Sequence, residues 1–198
     1  MDIIAFTGKM ESGKSTAATA VMLSLKNTYE SECFAFAGPM KRIAEEFFYF
    51  SQGSLYSTEG KSWKNPVWDM TSREFLQKFG QGMRDVIRED VWVKLMELRI
   101  KQTIDDNKMG RNRTKVILID DLRMENEAKM LKDLGATIIR INRDTHVAKS
   151  KGIANHPSEN GIPDKYINFV IDNNGSKHDL WIAVMGILDR LGLEHSML

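Results

Sequence analysis

Three features of this sequence predict an α/β protein, a three-layer fold built on a mainly parallel five-stranded sheet. Short apolar runs alternate with helix-length segments at the spacing of β–α units. The first run, Ile3-Ile4-Ala5-Phe6, leads into a glycine-bearing turn, Gly8-Lys9-Met10-Glu11-Ser12-Gly13-Lys14-Ser15, and then into an Ala-rich stretch, Thr16 to Leu25, free of Gly and Pro. A later run, Val116-Ile117-Leu118-Ile119, is continuous rather than alternating, the pattern of a strand covered on both faces, and ends in Asp120-Asp121.

The remaining elements follow in chain order. Cys33-Phe34-Ala35-Phe36-Ala37 reads as a second strand, and Gly38-Pro39 opens a helix from Met40 to Phe50, with Pro in its first turn. Residues 51 to 70 lack a period and read as a loop, in which Trp63 and Trp68 are expected to anchor the chain rather than stack on a base. Thr71-Ser72-Arg73-Glu74 is a capping-box pattern, so a helix starts near residue 72; Gly80 and Gly82 are expected to break it. Asp90 is read as the cap of a longer helix bearing Val91, Leu95 and Leu98. Beyond the Asp120-Asp121 strand come a helix from Met124 to Leu134 closed by Gly135, a strand from Thr137 to Ile141, a polar segment from Asn142 to Lys165, and a strand from Tyr166 to Ile171. Ser176 and Asp179 then cap a last helix carrying Leu180, Val184, Ile187 and Leu188.

The chain has 198 residues, enough for one domain with a sizeable core. No apolar run approaches the ~20 residues needed to span a bilayer. The first strand begins at the N-terminus without a basic and apolar leader, so a cytoplasmic protein is expected. A net charge of +1 lacks the basic excess of a nucleic-acid binder and points to a small nucleotide instead. Cys33 is the only cysteine, which rules out an internal disulfide and a thiolate zinc site; it is expected to be a small buried strand residue.

The turn fits G-x-x-x-x-G-K-[ST], and each part has a physical task. Gly8 and Gly13 permit backbone angles a side chain resists, so that successive N–H groups face a polyphosphate, and the following helix N-terminus adds partial positive charge. Lys14 offers an ammonium to the β- and γ-phosphates, and the Ser15 hydroxyl suits Mg²⁺. In a parallel sheet ligands sit beyond the carboxyl ends of the strands, where Asp120 and Asp121 offer hard oxygen ligands to the same metal. Phosphoryl transfer needs charge neutralisation more than a strong base, which draws attention to arginines. Arg123 follows the acidic pair, Arg84 and Arg88 lie in the helical region, and Arg140 and Arg143 flank the start of the polar segment, where a closing lid would carry charge.

Taken together these residues resemble the deoxynucleoside monophosphate kinases of bacteriophages, within the nucleoside monophosphate kinase group of P-loop proteins. The resemblance covers nearly the whole chain. It rests on Gly8 to Thr16, Phe36-Ala37-x-Pro39-x-Lys41, Thr71-x-Arg73-Glu74-x-Leu76-Gln77 with Arg84 and Trp92, Asp121-Leu122-Arg123-x-x-Asn126-Glu127-Ala128, His156-x-Ser158-Glu159, and Ile171-x-Asn173-x-Gly175-Ser176. It implies transfer of the ATP γ-phosphate to a deoxynucleoside 5′-monophosphate with Mg²⁺, on a P-loop kinase domain with a helical acceptor-side region at about 51–110 and a lid at about 143–160. Gly8, Glu11, Ser12, Gly13, Lys14, Ser15 and Thr16 would serve ATP, with Asn173 and Gly175 near the adenine. Lys41, Arg84, Trp92, Asp121 and Arg123 would serve the acceptor. A homodimer is allowed by the resemblance, and a host-cytoplasm location follows if the source is viral. Met10-Glu11 departs from the small or basic residues usual in this loop, so Glu11 is expected either to point away from the phosphates or to weaken their binding.

Two other readings stay open on the residues alone. Dephospho-coenzyme A kinase shares the phosphate loop and the Asn-x-Gly segment, but phosphorylates an alcohol and so needs a base, whereas the arginines favour a phosphate acceptor. A P-loop ATPase driving a macromolecular partner would be expected to carry a basic stripe. A GTPase would need an Asn-Lys-x-Asp segment, which is absent.

Overall fold

A computed structural model describes residues 1–57, 59–144 and 161–196. The chain divides into two compact units, one formed by Met1–Phe34 with Glu97–Leu198 and the other by Ala35–Met96. The second unit begins and ends earlier than the expected helical region at 51–110. Most of the expected lid at 143–160 lies outside the described residues.

The first unit holds β1 (Asp2–Thr7), α1 (Lys14–Leu25) and β2 (Glu30–Phe34). The second holds α2 (Gly38–Glu46), α3 (Gln52–Tyr56), β3 (Lys64–Asn65), β4 (Met70–Thr71) and α4 (Ser72–Val86). The helix α5 (Val91–Lys108) starts in the second unit and ends in the first, which is completed by β5 (Thr114–Leu122), α6 (Glu125–Asp133), β6 (Thr137–Asn142), β7 (Phe169–Asp172) and α7 (Lys177–Arg190). Five strands form one sheet in the order β2-β5-β1-β6-β7, and every pairing in it is parallel. The α/β reading and its five strands are therefore observed.

Strand alternation explains the layers. Ile4 and Phe6, Val116 and Leu118, and Ile139 and Ile141 pack in one core with Ala17, Val21 and Leu25 of α1 and Leu180, Val184 and Leu188 of α7. Their alternates Ile3, Ala5, Ile117, Ile119 and Ile138 are equally buried on the opposite face, where α6 packs along β6 and buries Ala128 and Leu131. A strand buried on both faces has no position for polar residues, which is why β1 and β5 read as unbroken apolar runs.

The second unit is built around aromatic rings. Phe50, Leu55 and Phe75 are buried with Phe48, Leu76 and Phe79, and Phe75 and Phe79 stack at 5.6 Å between centroids. The expected break at Gly80 and Gly82 does not occur, because α4 runs on to Val86. Gly80 serves packing instead: a Cβ there would lie 2.9 Å from Met40 Sδ, and its carbonyl accepts the Trp92 indole N–H at 3.0 Å. Residues 51 to 70 hold a helix and a two-stranded antiparallel hairpin rather than a bare loop. Trp68 anchors this stretch as expected, donating to the Phe48 carbonyl at 2.7 Å, while Trp63 is 61% exposed.

The capping boxes at Thr71/Glu74 and Ser176/Asp179 are both formed, and their backbone and hydroxyl donors hold the Glu74 and Asp179 carboxyls below the usual range. Asp90 stands directly before α5, its carbonyl accepting the Lys94 N–H at 2.9 Å, while its carboxylate accepts from the Arg88 guanidinium. The second strand lies earlier than 33–37, at Glu30–Phe34. It is an edge strand, so Cys33 is exposed rather than buried. Partial desolvation of the sulfur, then the Asp120 and Asp121 carboxylates, push its thiol up to about 11. Among the described residues no helix is long and apolar enough to cross a membrane.

Candidate active site

The glycine turn between β1 and α1 is held open by its own backbone. Gly8 has φ 142° and lies so close to β6 that a Cβ would meet the Ile141 carbonyl oxygen at 2.2 Å. Gly13 has φ 107°, and a Cβ there would lie 2.5 Å from Asn173 Nδ2. Both positions demand glycine, for conformation and for room. Glu11 also has positive φ, at 61°, and is exposed.

Lys14 is 8% exposed and folds back over the turn, its ammonium donating to the carbonyls of Gly8 at 2.8 Å and Lys9 at 2.7 Å. Ser12 is fully buried, and its hydroxyl has no partner among the described residues. The Ser15 hydroxyl donates to Asp120 Oδ2 at 2.8 Å, joining the start of α1 to the carboxyl end of β5 across 105 positions of sequence. The neighbouring Asp121 is half-buried. Thr16 is exposed in the first turn of α1.

A cleft of about 770 Å³ opens beside this turn, and its walls include Gly8, Lys9, Arg123, Arg140 and Arg143. The same walls carry Asp144, Asp164 and Asp172, so the cleft gathers charges of both signs, with arginines suited to phosphate oxygens among them. Arg140 is already engaged: its two terminal nitrogens donate to the Asp164 carboxylate and to the Ile162 carbonyl. Arg143 is exposed at the rim. The backbone of Arg123 is fixed by Glu127, whose buried carboxylate accepts the N–H groups of Arg123 and Met124, each at 2.9 Å.

Glu127 stands in a motif the sequence reading quoted without giving the residue a role. The signal was available, since a Glu at the third position of a helix reaches back to N–H groups before it. Asp164 and Asn174 were not singled out, because their partners are remote in sequence. Asn173 is 4% exposed; its side chain donates to the Ser12 carbonyl at 2.8 Å, so it touches the turn itself. Gly175 is exposed at the start of α7.

In the second unit, Lys41 lies half-buried with its ammonium 4.5 Å from the centre of the Tyr56 ring, a cation–π contact. Arg84 is half-buried on α4. Trp92 is 3% exposed, its ring packed with Met40 and Phe79 and its one donor satisfied by Gly80. His156, Ser158 and Glu159 lie outside the described residues.

Lysine, serine and a carboxylate are thus gathered around a glycine turn at the carboxyl end of β1, the central strand of a parallel sheet. The deoxynucleotide monophosphate kinase family model matches residues 52–184, more than half of the chain, and the protein belongs to that family. It is a nucleotide kinase. A protein of Acanthamoeba polyphaga mimivirus, provisionally named a deoxynucleotide monophosphate kinase, is 29% identical over 203 residues, spanning 96% of this chain and 97% of its own. A solved structure, that of APE1195, aligns over 94% of this chain and 96% of its own at 14% identity and a TM-score of 0.45.

Proposed function

We propose that this kinase transfers the γ-phosphate of ATP to the 5′-phosphate of a deoxynucleoside monophosphate, giving the deoxynucleoside diphosphate and ADP. The observation that carries this reading is the cleft in which Arg123, Arg140 and Arg143 share walls with Gly8 and Lys9 of the glycine turn. Such a cleft suits two phosphate-bearing substrates, whose mutual repulsion is the main obstacle to their meeting.

An acceptor phosphate oxygen forms the new bond to the γ-phosphorus while the bond to the bridging oxygen breaks and ADP leaves. No strong base is required, because that oxygen is already ionised at neutral pH. The turn from Gly8 to Thr16 holds the donor phosphates by backbone N–H groups. Lys14 exchanges its two carbonyl contacts for phosphate oxygens. Arg123 binds the acceptor phosphate, with Glu127 fixing its backbone, and Arg143 brings charge to the transferring group. Arg140 serves the same cleft from its contacts with Asp164 and Ile162. Lys41, Arg84 and Trp92 belong to the acceptor side, Trp92 by packing.

The donor set fits magnesium. The Ser15 hydroxyl and the Asp120 carboxylate are hard oxygen donors, brought together by a hydrogen bond of 2.8 Å. Ser15 and Asp120 would hold the ion, with Asp121 as the neighbouring carboxylate. Magnesium, when bound, neutralises charge on the β- and γ-oxygens. We place the reaction in the cytoplasm, where its substrates are pooled.

The test is a pair of variants under steady-state kinetics. Lys14→Ala should lose most turnover while remaining folded, because its charge matters most in the transition state. Arg123→Ala should chiefly raise KM for the deoxynucleotide. Turnover of Lys14→Ala equal to that of the unmodified protein would refute the site, and unchanged acceptor kinetics in Arg123→Ala would move that role to another arginine.

A further inference from the structure

We infer that Asn173 is a positioning residue for the phosphate loop, acting through the Ser12–Gly13 peptide rather than by touching the nucleotide base. This deepens the proposed reaction and rests on it. Three observations meet at this residue. Its side chain is 4% exposed, so it has almost no surface to offer a ligand. Its Nδ2 donates to the Ser12 carbonyl at 2.8 Å, and since that oxygen can only accept, the amide orientation is fixed by chemistry. Gly13, with φ 107°, leaves room for the amide where a Cβ would come within 2.5 Å of it.

Peptide planarity carries this contact to the site. In a trans peptide the C=O and N–H point in opposite directions. Holding the Ser12 oxygen toward Asn173 therefore turns the Gly13 N–H away from Asn173. A glycine at positive φ would otherwise sample several orientations of that peptide. Asn173 removes this freedom in advance, so binding a phosphate pays less to order the loop.

The residue is itself rigidly mounted. Its N–H donates to the Asn142 carbonyl at 2.7 Å, and Asn142 Nδ2 donates to Asp172 Oδ1 at 3.1 Å. Asn174 accepts the Asp144 N–H at 2.8 Å and returns a bond to Asp144 Oδ2 at 3.1 Å. Three consecutive residues, the last of β7 and the two after it, thus tie the ends of β6 and β7 together, and the middle one reaches the phosphate loop.

Asn173→Asp tests the inference by keeping the shape and removing the donor. At pH 8 its carboxylate faces the Ser12 carbonyl, and calorimetric titration with Mg-ADP should show affinity at least about tenfold weaker than in the unmodified protein. Lowering the pH to 5.5 should restore much of that loss relative to unmodified protein titrated beside it, because the protonated acid regains an O–H donor. Asn173→Ala, which buries no charge, should lose affinity at both pH values. In both variants KM for the deoxynucleotide should stay within about twofold. Affinity of either variant equal to that of the unmodified protein at pH 8, or a loss in Asn173→Asp that acid does not relieve, would overturn the inference and leave the proposed reaction standing. An unmodified protein that binds no ADP would overturn both.

Discussion

Two carboxylates stand together at the end of β5, and under the proposed reaction they have different tasks that exchange to asparagine separates. Asp120 accepts the Ser15 hydroxyl at 2.8 Å, so the two oxygens proposed to hold magnesium already stand together. Asp120→Asn keeps an oxygen to accept from Ser15, so the join between β5 and α1 persists, and what is lost is one negative charge. A unit charge about 4 Å from its partner is worth about 4 kcal/mol at an effective dielectric of 20. If most of that acts on the metal-bound transition state, kcat falls by about 10²–10³-fold. Asp121→Asn should cost about tenfold or less. The assay is ADP release at a fixed deoxynucleotide concentration with magnesium varied. Asp120→Asn should also raise the magnesium concentration needed for half-maximal rate. Full activity in Asp120→Asn beside collapse in Asp121→Asn would refute the reasoning and transfer the metal to Asp121.

Gly82 lies inside α4 with nothing within 4 Å of a Cβ, so Gly82→Ala should stabilise the fold by about 0.5–1 kcal/mol through helix propensity, seen as a higher urea midpoint. Trp92→Phe leaves the buried Gly80 carbonyl without its side-chain donor and should cost about 1–2 kcal/mol in the same experiment; an unchanged midpoint would show that the bond contributes nothing. Cys33 is exposed, yet its thiol is pushed from 9.0 to about 11. At pH 8 the thiolate is about a hundredfold scarcer, offset about tenfold by higher intrinsic nucleophilicity, so a soluble aromatic disulfide should react about tenfold more slowly than with the urea-unfolded chain. Equal rates in the two states would contradict the partial desolvation and carboxylate neighbours assigned to the sulfur.

What could be read from the sequence was what is decided locally. The glycine turn, the apolar run of β5 and the capping boxes at Thr71 and Ser176 each depend on residues within a few positions of one another, and each is found where it was expected. The misplaced boundary of β2 has a remote cause. Glu30-Ser31-Glu32 looks unlike a strand, but Glu32 is satisfied by Thr114 and Asn112 beside it, which also hold its carboxyl below the usual range. Gly80 was read as a helix breaker because Met40 and Trp92, which explain it, lie far away in sequence. The same holds at the site. The residues of the phosphate loop could be named in advance, whereas the partners of Arg140 and the support given by Asn173 depend on packing that brings distant segments together.

The most direct test of the central claim is to follow the γ-phosphate itself. The protein is incubated with magnesium and γ-labelled ATP, separately with each deoxynucleoside monophosphate, the matching ribonucleotides, dephospho-coenzyme A, and no acceptor. The account predicts label in the β-position of a deoxynucleoside diphosphate, formed in step with ADP. Label appearing only in coenzyme A, or released as inorganic phosphate whether or not a deoxynucleotide is present, would contradict it.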